Sequence, residues 1–162
     1  MIDSIIDWIL STSLNDWVLS TYWAWPLLET LHFFGLSILM GSLLIIDLRM
    51  MGFFKGLSFQ ATHKLLPLVF FGFALNLITG ILFLFGDPIR YAFHTGFQTK
   101  MVLVFLAGIN ALWFYLKING PMHGWGSHED APMSAKIVGF LSLVFWFAIL
   151  VYGRLIPYIS TG

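Results

Sequence analysis

The chain has 162 residues, of which 59% are hydrophobic, 18% aromatic and 10% charged, with a formal net charge of zero and no cysteine. A soluble domain carries roughly 25% charged residues, so this composition cannot cover a water-facing surface and indicates a membrane protein. Neutral charge without a basic cluster excludes nucleic-acid binding, and the lack of cysteine excludes disulfides, thiolate metal sites, cysteine-held iron–sulfur clusters and the usual covalent attachment of c-type haem.

The first predicted element is an amphipathic helix within residues 1–20. Ile2, Ile5, Ile6 and Ile9 recur at helical spacing, and acidic residues lie off that stripe. This pattern is typical of a helix that lies in the plane of the membrane interface. Tryptophans near the turn into the membrane predict an aromatic belt on that side, at Trp8, Trp17, Trp23 and Trp25.

Four transmembrane helices follow, because a helix needs about 20 mostly apolar residues to cross a bilayer. The stretches that qualify are 23–46, 65–85, 95–116 and 133–158, and an earlier start of the third helix, near residue 89, stays open. A polar segment at 119–132 predicts a longer loop before the fourth helix. Short connections place neighbouring helices antiparallel, so we expect an all-α, up-down four-helix bundle over 23–158.

The orientation is predicted from the distribution of lysine and arginine near the helix ends. The side with the first and third loops carries the larger number, namely Arg49, Lys55, Lys64, Lys117 and Lys136. This bias places those loops in the cytoplasm. We therefore expect a multi-pass protein of the bacterial inner membrane with periplasmic N- and C-termini.

Ionisable residues inside the spans are the main candidates for a functional site, because each is costly in a membrane and usually faces the bundle interior. Glu29 and His32 are adjacent on one face of the first helix, three residues apart. Lys100 begins the third helix and Arg154 ends the fourth, on the same side of the membrane. The topology therefore predicts that the four side chains converge.

Two interpretations of this cluster compete. In the structural one, Lys100 and Arg154 extend to the lipid headgroups, Glu29 pairs with one of them, and His32 is a hydrogen-bonded interior histidine. In the other, the cluster binds haem b, with His32 as an iron ligand and both cations at the propionates.

The haem interpretation needs two further features. Gly35 and Gly80 are small residues that give the macrocycle room to approach the helices. His94 is the candidate for the second axial ligand if the third helix starts early, so the predicted metal ligands are His32 and His94.

Several segments resemble a family of uncharacterised four-helix bacterial membrane proteins over most of residues 23–158. The distinctive motifs are Glu29-Thr-Leu-His32-Phe-Phe-Gly35 with Asp47-Leu-Arg49, and Gly153-Arg154-Leu-Ile-Pro-Tyr158. More distantly, the chain is similar to the membrane-bound haem-dependent protoporphyrinogen oxidase and to the copper-resistance inner-membrane family. The resemblance to the oxidase implies functional roles for His32 and Lys100.

These patterns favour a b-type haem membrane protein that transfers electrons in the outer half of the bilayer, with a quinone or a redox protein as its partner. One alternative is a non-catalytic membrane subunit that binds a partner protein or lipid. Another is a haem-dependent membrane oxidase of a hydrophobic substrate. The sequence leaves open whether the chain is a monomer or a homo-oligomer.

Overall fold

A computed structural model describes residues 2–122, 124–126, 128–156 and 158. Four helices are long and apolar enough to cross a membrane: Ala24–Met50, Phe59–Gly86, Thr95–Met122 and Met133–Leu155. The described part of the chain contains helices and no strand. The prediction of an all-α, multi-pass four-helix membrane protein is therefore confirmed.

The N-terminal segment forms two short helices, α1 (Ile2–Leu10) and α2 (Ser13–Ser20). The Thr12 side chain accepts a hydrogen bond from the Asn15 N–H and so caps α2. On α1, Ile6 and Ile9 are buried against the protein, whereas the remaining two members of the isoleucine stripe are exposed. The position of α1 in the membrane interface stays a prediction.

The first membrane helix, α3 (Ala24–Met50), extends one turn beyond the predicted end at residue 46. That extra turn brings Asp47 and Arg49 inside the helix, and both side chains are buried. After a loop, the second spanning stretch, Phe59–Gly86, begins with a short helix, α4 (Phe59–His63). A turn then leads into the longer second membrane helix, α5 (Leu66–Gly86). Close packing of α3 on α5 occurs where Gly35 and Gly72 face each other.

A short helix, α6 (Pro88–Phe93), precedes the third membrane helix and is capped by the Asp87 side chain, which accepts from the Arg90 N–H. The third membrane helix begins as α7 (Thr95–Trp113), widens into a π-helical segment (Phe114–Ile118) and ends as α8 (Asn119–Met122). The prediction that a loop begins at residue 119 is therefore wrong. Pro121 has no N–H to leave unpaired, and the wider π turn before it eases the clash that proline causes in a regular helix.

The fourth membrane helix is α9 (Met133–Leu155), which packs against both α3 and α7. Since α3 also packs on α5, the four long helices follow the order α5, α3, α9, α7 across the bundle. We call the side on which α3 begins and α9 ends the terminal side. The opposite side, which carries the α3–α4 loop and the segment before α9, is the loop side.

Candidate functional site

The imidazole of His32 lies in the terminal half of the bundle and joins α3 to α5. Its Nδ1 atom is 2.8 Å from the hydroxyl oxygen of Thr79, and its ring makes an edge contact with Phe83, with 5.6 Å between the centroids. Thr79 is buried and His32 half-buried. The histidine is therefore fixed by the neighbouring helix and still partly accessible.

The Thr79 hydroxyl determines which nitrogen of His32 carries the proton. Its single hydrogen has three acceptors within reach, the Leu75 carbonyl at 2.7 Å, the Asn76 carbonyl at 3.2 Å and His32 Nδ1 at 2.8 Å, and the Leu75 carbonyl is the closest. A hydroxyl that has already donated its hydrogen can only accept from a further partner. When the hydroxyl donates to the Leu75 carbonyl, His32 Nδ1 donates to Thr79, and the lone pair of the neutral imidazole is on Nε2.

Lys100 belongs to the same region. Its ammonium group lies against α9, with Nζ 3.5 Å from the position that a Cβ atom on Gly153 would occupy. It is close enough to His32 for electrostatic interaction, and it is half-buried. Among the described residues, Lys100 has no hydrogen-bond or ion-pair partner. A cation in this position can bind an anionic group of a ligand.

Glu29 and Arg154, the two remaining members of the predicted cluster, are exposed at the rim of the terminal side. The Glu29 carboxylate accepts a hydrogen bond of 3.1 Å from the Trp25 indole. The Arg154 guanidinium lies over the Tyr158 ring, 5.4 Å from its centroid, and is 3.4 Å from its hydroxyl. The structure thus brings Lys100 towards His32 and keeps these two side chains at the edge.

The rim also includes Tyr91 of α6, which is close enough to Glu29 to interact with its charge. Burial raises the pKa of the Tyr91 hydroxyl above its ordinary value, and the nearby Arg90 acts in the opposite direction. Tyr91 is therefore a neutral hydrogen-bonding group at physiological pH.

Gly35 lies in a helix–helix contact, and His94 caps a helix. A Cβ atom on Gly35 would lie 3.1 Å from the Gly72 carbonyl oxygen and 2.7 Å from the Asn76 amide, so α5 fills the space at this glycine. His94 is buried at the start of α7, where its Nδ1 accepts a hydrogen bond of 3.0 Å from the Gly96 N–H and caps the helix. By contrast, nothing lies within 4 Å of a Cβ position on Gly80.

A second group of polar side chains, on the loop side, was not among the predicted site residues. Asp47 is 2% exposed and Arg49 is 0% exposed. Both lie in the turn by which α3 exceeds its predicted length. Their signal in the sequence was the acidic–apolar–basic motif at the end of an apolar run, which is equally typical of exposed charges at a membrane surface.

The described part of the chain contains no group of three or more histidine, cysteine, aspartate or glutamate side chains that could hold a metal ion. An axial haem ligand needs only a single imidazole, so this observation leaves His32 as a candidate. In comparisons with known proteins, no family model, no curated protein and no solved structure matches this chain. The resemblance to four-helix bacterial membrane proteins therefore stays a prediction.

Proposed function

We propose that this protein binds haem b in the terminal half of its bundle and transfers electrons there. The observation that carries the proposal is the hydrogen bond between His32 Nδ1 and the Thr79 hydroxyl, at 2.8 Å. Metal-ligating histidines almost always donate their second ring N–H to a neighbour, which fixes the ring and leaves the other nitrogen for the metal. His32 has this arrangement, with Nε2 as the candidate ligand atom.

Lys100 supports the same proposal. Haem carries two propionates at the edge of its apolar ring, and a cation beside that edge would bind them. The Lys100 ammonium interacts electrostatically with His32 and has no ion-pair partner among the described residues. Arg154, exposed at the rim, is the candidate partner of the second propionate. Open space at Gly80, next to Thr79, allows a flat group to approach α5.

Of the two predicted histidines, His32 and not His94 would hold the iron. His94 uses its Nδ1 as the cap of α7, so the proposal assigns it a structural role and relies on His32 for the iron. When bound, haem would supply one-electron chemistry. Thr79 would hold His32 in one tautomer, and Lys100 would bind one of the haem propionates. We place the site in the bacterial inner membrane with the terminal side in the periplasm, and expect a quinone or a redox protein as the partner.

Removing the imidazole is the direct test. We expect the haem content of His32→Ala, purified in detergent, to fall roughly tenfold or more below that of the wild type. The reason is that this change removes the ligand itself. His63→Ala is the matched control because His63 lies on the loop side, where its Nε2 contacts Asn119 Oδ1 at 2.9 Å. Full haem occupancy in His32→Ala, or equal losses in both variants, would contradict the proposal.

Exposed apolar side chains on α1 and α2 favour a second candidate, a membrane subunit that binds lipid or a partner protein through this segment. Ile5 is 53% exposed, Trp8 60% and Leu19 62%. Exposed tryptophan and leucine on short surface helices are typical of interfacial contact. This candidate predicts a colourless protein whose association depends on residues 1–20.

Substrate turnover that depends on Lys100 would instead indicate a haem-dependent oxidase.

A further inference from the structure

The carboxyl group of Asp47 is enclosed between α3 and α9 on the loop side. The residue is 2% exposed, and its Oδ2 atom is buried without a hydrogen-bond partner among the described residues. From α9, the Ser142 hydroxyl interacts with the carboxyl. A Cβ atom on Gly139 of α9 would lie 3.0 Å from the Asp47 carbonyl oxygen, so the two helices are in close contact here.

Two cations of this region, Arg49 and Lys136, contact groups other than the Asp47 carboxyl. Arg49 donates from Nε to the Leu57 carbonyl at 2.6 Å and from one terminal nitrogen to the Glu129 carbonyl at 3.2 Å. Its guanidinium also lies over the Phe59 ring, 3.8 Å from the centroid. On α9, the Lys136 ammonium is 3.7 Å from an Asp130 carboxylate oxygen.

Three other titratable groups on the loop side contact a different residue or are exposed. His63 of α4 contacts Asn119, while Lys64 and Lys117 are exposed. The group that contacts the Asp47 carboxyl from α9 is therefore the Ser142 hydroxyl, which carries no charge, while Gly139 lies against the Asp47 backbone.

We propose that Asp47 is a proton-binding site, in which the carboxyl group is a neutral acid with its proton on Oδ2 and exchanges that proton with water on the loop side. An ionised carboxylate without a paired cation is far more costly in an apolar interior than a neutral acid. Ionisable groups inside a membrane commonly mark ion and substrate pathways or proton relays. On release, the O–H bond breaks, the proton passes to water, and the negative charge stays on the carboxylate, to which Ser142 donates. The proposal does not depend on haem binding.

Infrared spectroscopy of the full-length protein in lipid tests this proposal directly. Protonated carboxyl groups absorb in a carbonyl stretch region separate from that of carboxylates. We expect one acid band that shifts in ²H₂O and is absent in Asp47→Asn, the isosteric variant that cannot carry the proton. Asp16→Asn is the matched control, since Asp16 is exposed on α2, and we expect it to leave the band unchanged.

A second variant keeps the test decisive if Asp47→Asn does not fold. Ser142→Ala removes the hydroxyl beside the carboxyl and should move the same band to a higher frequency without removing it. The proposal is overturned if neither variant changes an acid band, or if the band does not shift in ²H₂O and the proton therefore does not exchange.

Discussion

The His32 ring is oriented by a single hydroxyl group. In the proposed site, Thr79 donates its hydrogen to the Leu75 carbonyl within α5, at 2.7 Å, and accepts from His32 Nδ1 of α3, at 2.8 Å. The same threonine therefore stabilises the helix turn and selects the tautomer of the candidate ligand. A residue that does not touch the cofactor can in this way control its binding.

Replacing Thr79 with valine tests this role. Valine keeps the shape of the side chain but cannot accept a hydrogen bond, so we expect haem affinity to fall about tenfold. Thr30→Val is the matched control, because the Thr30 hydroxyl makes a similar bond within α3, to the Pro26 carbonyl at 2.8 Å. Haem titration of both variants by visible absorbance measures the effect. An equal affinity in Thr79→Val and Thr30→Val would show that the tautomer does not matter.

At the scale of the elements, the α3–α5 contact depends on two glycines that face each other. A Cβ atom on Gly72 would lie 2.7 Å from both the Gly35 carbonyl oxygen and the Leu39 nitrogen, which are backbone atoms that cannot move independently of the helix. Small residues allow this close approach of helices in membranes. The contact sets the rotation of α5 on α3, and with it the distance between His32 and Thr79.

We therefore expect Gly72→Ala to push the two helices apart and to lower the free energy of unfolding by about 1–3 kcal/mol. Gly41→Ala is the control, since nothing lies within 4 Å of a Cβ position there. Thermal unfolding in detergent compares the variants. A Gly72→Ala protein as stable as Gly41→Ala would mean that the helices are not in contact at these residues.

Ion pairs, as well as apolar packing, hold the segments of the loop side together. Lys55 Nζ is 2.9 Å from one Asp130 carboxylate oxygen, and Lys136 Nζ is 3.7 Å from the other. The hydrogen bond from Lys55, together with the charge of Lys136, holds the pKa of Asp130 below its ordinary 3.8. The ion pairs link the α3–α4 loop to the start of α9.

These ion pairs predict a specific pH dependence. Because the pKa of Asp130 is lower in the folded than in the unfolded protein, the ion pairs stabilise the fold above the ordinary pKa of 3.8 and stop doing so as the pH falls through the folded value. We expect Asp130→Asn to have a lower Tm than the wild type at neutral pH and the same Tm at strongly acidic pH. Added salt should also reduce the difference, because the pairs are exposed. A difference that persists in acid would point to another role for Asp130.

At the scale of the whole molecule, the sequence predicts the number of spans well because the bilayer fixes the length of each apolar run. It cannot predict the burial of Asp47 and Arg49, since this depends on how the segments containing Leu57 and Glu129 fold over the end of α3. The sequence also cannot predict that the Thr79 hydroxyl is the partner of His32, because the rotation of α5 against α3 determines this contact. The predicted topology puts Glu29, His32, Lys100 and Arg154 on one side, and burial separates the half-buried His32 and Lys100 from the two exposed residues.

The central claim, that the terminal half of the bundle binds haem b, is tested most directly by the visible absorption spectrum of the protein. It should be purified in detergent from haem-replete cells and measured as isolated and after chemical reduction. We predict a Soret band that shifts on reduction, at about one haem per chain, because His32 supplies an imidazole for the iron. A colourless protein would contradict the claim, and His32, Thr79 and Lys100 would then be a structural polar cluster.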